Sequence, residues 1–108
     1  MKKSILIFLF FCNLTYTFAQ SLAKNPIIFA DVPDASMVRV GDTYYMSSTT
    51  MHMSPGVPIM KSTDLVNWKL VSYAYDTLAN VDAMNLTNGQ STYGRGSWAS
   101  SIRYHNGM

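Results

Sequence analysis

After its first twenty residues, the chain consists of short apolar-rich segments separated by turn residues. These segments predict five strands, at residues 36–40, 43–48, 57–61, 68–72 and 100–104. The pair Gly41-Asp42 signals a tight hairpin between the first two strands, and residues 62–67 form a longer connection. Residues 73–96 are rich in Asn, Asp, Ser and Gly, and they predict a loop with a short helical turn. No segment keeps a helical period, so the pattern predicts an all-β fold.

A short internal repeat indicates which all-β architecture the chain adopts. The segment Ala-Ser-Met-Val-Arg-Val at residues 35–40 recurs as Ala-Ser-Ser-Ile-Arg-Tyr at residues 99–104. In both copies the strand leads into a glycine-containing turn, Gly41-Asp42 in the first and His105-Asn106-Gly107 in the second. A recurring strand–turn unit is typical of a β-propeller blade. The spacing exceeds the commoner ~40–50 residues per blade, and the loop at residues 73–96 accounts for the excess.

The N-terminus has the pattern of an export signal. Lys2 and Lys3 form a basic region, residues 5–12 are apolar, and residues 17–19 form a small-residue cleavage site. The apolar part is too short to span a bilayer. The sequence therefore predicts a signal peptide at residues 1–19, a mature segment at 20–108, and a secreted or periplasmic protein.

Removal of this signal changes the charge and the thiol content. The chain has eight Lys and Arg residues and six acidic ones, and loss of Lys2 and Lys3 leaves equal numbers. A near-neutral mature segment favours neither a nucleic-acid partner nor an anionic membrane, and it suits a neutral polysaccharide. Phe11 stands where a lipoprotein needs a small residue before Cys12, so cleavage after Ala19 is favoured. Cys12 then leaves with the signal, and no disulfide is expected.

Two carboxylates, Asp31 and Asp34, lie in a turn directly before the first predicted strand. Pro33 restricts the local backbone, and the strand fixes the residues that follow. A carboxylate held at a rigid strand entrance can be aimed at a water molecule, as general-base catalysis requires. Turn aspartates also commonly accept hydrogen bonds from nearby backbone N–H groups. These residues alone leave both interpretations open.

Several short motifs, in order along residues 25–108, resemble the start of a glycoside hydrolase of family 43. They are Asn25-Pro26, Pro33-Asp34-Ala35-Ser36, Val40-Gly41-Asp42 with the paired Tyr44-Tyr45, Pro55-Gly56-Val57-Pro58, Asp64-Leu65-Val66-Asn67-Trp68 and Trp98-Ala99-Ser100. Each motif alone is short, and their order and spacing carry the resemblance. Ala35 and Ser100 stand where the family usually has proline.

The resemblance implies a fold and a catalytic residue. The family's fold is a five-bladed β-propeller, of which this chain would hold about the first blade and the start of the second. The family is inverting, and the Asp of its Pro-Asp-Pro-Ser motif, here Asp34, is the general base. Its general acid is a Glu in a later blade, and a further Asp beyond residue 108 tunes the acid. The chain contains no Glu, so it is expected to be the N-terminal fragment of a longer enzyme.

Four further residues are predicted to bind substrate. Trp98 either stacks on a sugar ring or packs in the core, since Trp serves both roles. Met51 and His52 follow the first hairpin near the expected pocket; His52 either donates to a substrate hydroxyl or is an ordinary loop histidine. Asp31 is expected to orient the loop. No cofactor is expected, although the resemblance implies a structural calcium ion on the complete propeller's axis, for which no ligand set is visible.

The predicted function is hydrolysis of O-glycosyl bonds in pentose-containing plant polysaccharides or oligosaccharides. The expected substrates are arabinoxylan, arabinan and xylo-oligosaccharides. The resemblance implies α-L-arabinofuranosidase or β-xylosidase activity, with the former preferred and endo-arabinanase less favoured. Two alternatives stay open: a non-catalytic carbohydrate-binding propeller, and an inactive fragment that lacks the general acid or a stable fold.

Overall fold

The described part of the chain, residues 23–108 of a computed structural model, is built on one antiparallel sheet. Its strands are β1 (Ser36–Val40), β2 (Thr43–Ser47), β3 (Gly56–Ser62) and β4 (Lys69–Tyr75). Each strand pairs with the next in the chain, which gives the order β1-β2-β3-β4. This four-stranded meander is the architecture of a propeller blade, so the all-β prediction is confirmed. The predicted signal peptide lies outside the described residues.

The tight turn between β1 and β2 forms as its sequence predicts. Val40 pairs with Thr43, so two residues make the connection. Gly41 has a φ of 59°, a conformation that glycine adopts without steric cost. The Arg39 side chain closes the turn by donating from Nε to the Gly41 carbonyl oxygen at 2.9 Å. Its guanidinium also contacts Asp42 Oδ1 at 3.3 Å.

The apolar core is small. Met46 on β2 and Met60 on β3 form a buried cross-strand pair, and Val57 and Met84 are also buried. The other buried side chains are hydroxyls: Ser47, Ser48, Thr49 and Thr50 at the end of β2 and just after it, and Ser62 at the end of β3. Because buried hydroxyls destabilise a fold unless they are hydrogen-bonded, the packing here depends on polar contacts as well as apolar ones.

The predicted loop after β4 begins later than expected, because β4 continues through Tyr75. The loop does contain a short helical turn, α1 (Asp82–Asn85), which buries Met84. The Met84 carbonyl oxygen accepts the Ser54 N–H at 3.0 Å, so α1 is attached to the segment before β3. Within residues 23–108, no helix is long and apolar enough to cross a membrane.

The fifth predicted strand, at residues 100–104, is not a strand among the described residues. A strand needs a ladder of backbone hydrogen bonds, and residues 23–108 offer this segment no such partner. It is held instead by the Ile102 N–H, which donates to Ser36 Oγ at 3.2 Å. The turn that follows is confirmed. Asn106 and Gly107 both have positive φ, and His105 and Met108 exchange two backbone hydrogen bonds.

The connection between β3 and β4 is organised by one carboxylate. Asp64 Oδ1 accepts hydrogen bonds from the backbone N–H groups of Val66 and Asn67 at 2.9 and 2.7 Å. Its second oxygen accepts from Asn67 Nδ2 at 2.7 Å, and Ser62 Oγ donates to Oδ1 at 2.9 Å. These bonds, with those from Asn67 the strongest, hold the pKa of Asp64 well below its ordinary value of 3.8.

We expect Asp64→Asn to destabilise the full-length protein in a pH-dependent way. Because folding lowers the pKa of Asp64, its carboxylate stabilises the fold above pH 3.8, and this stabilisation is lost as pH falls through the folded pKa. The variant should melt at a lower temperature than the wild type at pH 7. The difference should shrink below pH 3.8, as measured by thermal unfolding. Thr63→Ala, in the same turn, is the control, and a difference independent of pH would contradict the assignment.

Candidate active site

Asp34 lies on the loop that enters β1, and its side chain is exposed. Its backbone has a φ of 52°, a left-handed conformation in which Asp is found more often than most residues. One carboxylate oxygen, Oδ2, accepts a hydrogen bond from Thr49 Oγ1 at 2.9 Å. The Thr49 N–H donates to the carbonyl oxygen of Pro33 at 3.0 Å. The loop that carries Asp34 is therefore attached to the segment that follows β2.

Three hydroxyl groups join the sheet to residues 99–102. Thr49 Oγ1 accepts the N–H of Ala99 at 2.9 Å. Ser100 Oγ and Ser47 Oγ are 2.9 Å apart, and Ser36 Oγ accepts from the Ile102 N–H as described above. These contacts bring together residues about fifty to sixty-six positions apart in the chain. They hold the segment after Trp98 against β1 and β2.

A second set of contacts, between the segment after β2 and residues 93–97, lies beside the first. Thr50 and Ser97 exchange two backbone hydrogen bonds of 2.9–3.0 Å, which form an isolated antiparallel bridge. The N–H groups of Gly94 and Gly96 both donate to the Met51 carbonyl oxygen at 3.0 Å. A Cβ atom on Gly96 would collide with the Thr50 carbonyl oxygen and lie 2.7 Å from the Met51 carbonyl carbon. Residues 93–97 therefore pack against the Thr50–Met51 backbone at a distance that only glycine permits at position 96.

A cleft of about 500 Å³ opens next to these contacts. Three of the predicted substrate-binding residues line it: Asp31, Met51 and His52. The His52 and Tyr93 rings face each other with centroids 5.4 Å apart, and Trp68 contributes to the wall. A mainly apolar and aromatic wall with a few polar groups is typical of small-molecule sites.

Asp34 and Trp98 are not part of this lining. Thr49 does line the cleft, and its hydroxyl donates to Asp34 Oδ2, so Asp34 is hydrogen-bonded to a cleft-lining residue. Trp98 follows the Thr50–Ser97 bridge, and its side chain is 59 % exposed. The structure therefore places Asp31, Met51 and His52 together in the wall of the cleft. Asp34 contacts the cleft-lining residue Thr49, and Trp98 lies on the neighbouring segment.

Sequence reasoning did not single out Thr49, Tyr93 or Gly96. Thr49 is 4 % exposed and in the sequence is one of several hydroxyl residues after a strand. Gly94 and Gly96, spaced two apart, are a sequence signal for close backbone approach that could have indicated the contact with Met51. No comparable sequence signal indicates Tyr93, because its contact with His52 depends on the path of the loop that carries it.

The calcium ion that the resemblance implies would lie on the axis of the complete propeller, of which the described residues form a part. No group of three or more His, Cys, Asp or Glu side chains comes together anywhere in residues 23–108.

The four-stranded meander and the sequence comparisons place this chain among the glycoside hydrolases. It belongs to glycosyl hydrolases family 43, whose family model matches residues 23–108. This confirms the resemblance on which the assignment of Asp34 depends.

Two curated relatives illustrate the range of the family. A β-xylosidase of Formosa agariphila is 44 % identical over 88 residues, which is 77 % of this chain and 14 % of that protein. A non-reducing end α-L-arabinofuranosidase of Bacteroides ovatus is 39 % identical over 105 residues, 95 % of this chain and 18 % of that protein. The chain thus spans less than a fifth of the length of these relatives.

Solved structures agree with the fold. A bifunctional GH43-CE protein of Bacteroides eggerthii is 76 % identical, with a TM-score of 0.69 over 82 % of this chain and 12 % of that one. A GH43 protein of Bacillus licheniformis is 34 % identical, with a TM-score of 0.61 over 79 % and 16 %. The described meander is therefore part of the fold that these enzymes share.

We expect Gly96→Ala to destabilise the full-length protein by about 1–3 kcal/mol, the usual cost of forcing an extra carbon into a packed position. The physical reason is the collision of the new Cβ with the Thr50–Met51 backbone. Urea unfolding measures the effect. The control is Ser97→Ala, since Ser97 Oγ is buried and makes no hydrogen bond with any described residue. It removes an unpaired buried hydroxyl, so it should not destabilise the protein, and a loss of stability equal to that of Gly96→Ala would contradict the contact.

Proposed function

We propose that the full-length protein is an inverting glycosidase that removes pentose units from plant polysaccharides or oligosaccharides, with Asp34 as general base. The observation that carries the proposal is the hydrogen bond between the Asp34 carboxylate and Thr49, a residue that lines an aromatic cleft. Support comes from membership of the family and from relatives named β-xylosidase and α-L-arabinofuranosidase. The proposed activities are the same two, and arabinofuranosidase is the preferred one.

The proposed chemistry uses the free oxygen of Asp34. Thr49 donates to Oδ2, and Oδ1 accepts no hydrogen bond from any described residue, so we assign Oδ1 as the oxygen that accepts a proton from water. That water attacks the anomeric carbon from the face opposite the leaving group, and the configuration is inverted. A carboxylic acid ~6.5–9.5 Å away must protonate the leaving oxygen. Since the chain has no Glu, we infer that this acid comes from another part of the full-length protein.

The cleft would hold the sugar. Met51 and the His52–Tyr93 pair provide apolar and aromatic surface, and Asp31 provides an acceptor for hydroxyl groups. The exposed ring of Trp98 would provide a stacking face on the neighbouring segment. Arabinoxylan, arabinan and xylo-oligosaccharides are the substrates we propose, because their pentose units match the activities named for the relatives.

We also propose that the protein is exported, to the periplasm or to the medium. The support is the signal pattern at residues 1–19. N-terminal sequencing of the mature protein should begin at Gln20. An intact Met1 in the active protein would contradict export by this route.

The test is an assay of the full-length gene product on nitrophenyl arabinofuranoside and nitrophenyl xyloside. We expect Asp34→Asn to lower kcat by at least ~10²-fold, the low end for loss of a general base. Asp42→Asn is the matched control. It removes the same charge at the other end of β1, where Asp42 is fully exposed, and it should leave kcat within about twofold.

Three results would contradict the proposal. Near-normal turnover by Asp34→Asn would remove Asp34 from the mechanism. A product that NMR shows to retain its anomeric configuration would exclude inversion. A wild-type protein that binds xylo-oligosaccharides but hydrolyses neither substrate would be a carbohydrate-binding propeller.

A further inference from the structure

We propose that Thr49 is the positioning residue of the general base: its hydroxyl holds one oxygen of the Asp34 carboxylate, and this leaves the other oxygen aimed at the attacking water. The inference rests on the proposed function and deepens it. Thr49 makes contact with the Asp34 loop through two separate groups, its hydroxyl to Asp34 Oδ2 and its backbone N–H to the Pro33 carbonyl oxygen. Side chain and backbone of the loop are thus held by one residue.

The direction of the Thr49 hydroxyl follows from its partners. A hydroxyl has one proton to donate and two lone pairs that can accept. The Ala99 N–H, at 2.9 Å, can only donate, so it occupies a lone pair. Asp34 Oδ2, at 2.9 Å, is then the acceptor for the single proton. Because Thr49 is 4 % exposed, solvent has little access to compete for that proton.

Asp34 needs this support. Its side chain is exposed, and among the hydrogen bonds of residues 23–108 its carboxylate has no partner besides Thr49. Without the Thr49 hydroxyl, the carboxylate could turn about both of its side-chain torsions. General-base catalysis depends on the carboxylate oxygen lying within hydrogen-bond reach of the water, so a loss of orientation lowers the turnover rate directly.

The same hydroxyl links the base to the segment of Trp98. Ala99, whose N–H is bonded to Thr49, directly follows Trp98 in the chain. Thr49 therefore sets the position of the base relative to the proposed stacking residue. The contact with Ala99 is a separate reason for a buried hydroxyl at position 49. Valine has the same shape as threonine but would form a hydrogen bond with neither Ala99 nor Asp34.

The first experiment measures kinetics of full-length Thr49→Val and Thr49→Ser. We expect Thr49→Val to lower kcat by about 10–100-fold with KM within about threefold, because binding in the cleft does not use the hydroxyl. Thr49→Ser keeps the hydroxyl and should recover kcat to within about fivefold of wild type. A Thr49→Val enzyme with kcat within twofold of wild type would overturn the proposal, and so would Thr49→Ser and Thr49→Val enzymes that are equally impaired.

A double-mutant cycle separates positioning from general structural damage. If Thr49 acts through the base, Thr49→Val should change kcat by less than about threefold once Asp34→Asn has already removed the base. A full additional loss in that background would mean that Thr49 only stabilises the fold. Ser47→Ala is the matched control, because Ser47 is also a buried hydroxyl that reaches residues 99–102, through Ser100, but does not touch Asp34. It should lower the melting temperature and leave kcat within twofold.

Crystal structures of the full-length wild type and Thr49→Val provide a readout that needs no activity. We expect one Asp34 conformer bonded to Thr49 in the wild type, and more than one Asp34 rotamer in the variant. An unchanged Asp34 in the variant would overturn the proposal. If the wild type hydrolyses neither substrate, the glycosidase assignment fails, and these structures still decide whether Thr49 positions Asp34.

Discussion

The described part of the molecule depends on hydrogen bonds made by the buried hydroxyls at the end of β2. Ser47, Thr49 and Thr50 are almost inaccessible to solvent, and each has a hydrogen-bond partner in another segment, whereas the buried Ser48 Oγ has none among the described residues. An unpaired buried hydroxyl would cost roughly 1–3 kcal/mol, whereas a satisfied one contributes about 1 kcal/mol. With four buried apolar side chains in its core, the sheet relies on this polar set for its long-range contacts. The contacts that stabilise the fold therefore also determine the geometry of the candidate site.

This arrangement explains why the site lies at one end of the sheet. The loop with Asp34 enters β1 at the same end at which β2 finishes, because Ser36 pairs with Ser47 in the antiparallel register. The residues after β2 are thereby brought beside the residues before β1, and Thr49 meets Asp34 across fifteen positions of sequence. The opposite end of the hairpin, at Gly41 and Asp42, carries the Arg39–Gly41 hydrogen bond and a surface ion pair, which contributes little to stability.

Much of the fold could be predicted from the sequence, because strands and two-residue turns are encoded locally. Gly41 in the first turn, and Asn106 and Gly107 in the second, have the left-handed propensity that their turns require, and both turns form. The strand predicted at residues 100–104 failed for a non-local reason: a strand exists only with a partner, and a propensity for extended structure does not supply one. The predicted bounds of β4 also differ from the observed ones. Polar and apolar residues mix freely on this exposed edge strand, so the pattern does not mark its ends.

The site was predictable to the extent that it depends on residue type. Asp34, Asp31, Met51, His52 and Trp98 were predicted from motif or position; the structure brings Asp31, Met51 and His52 to one cleft, and the roles of all five stay predictions. Thr49, Tyr93 and Gly96 could not be identified this way, because their importance comes from contacts with residues distant in the chain. Thr49 next to Asp34 is known only once the register of β1 and β2 is known.

The replacement of the family's second proline by Ala35 shows how rigidity is supplied at this loop. A proline ring fixes φ at its own position and restricts the residue before it, but it does not fix the side-chain torsions of that residue. A hydrogen bond from a buried hydroxyl acts on the carboxylate oxygen itself. The hydrogen bond orients a general base more directly than a proline does, because catalysis depends on where the carboxylate oxygen lies rather than on the backbone angle. The loss of proline at position 35 is therefore compatible with a precisely oriented Asp34, provided that Thr49 stays in place.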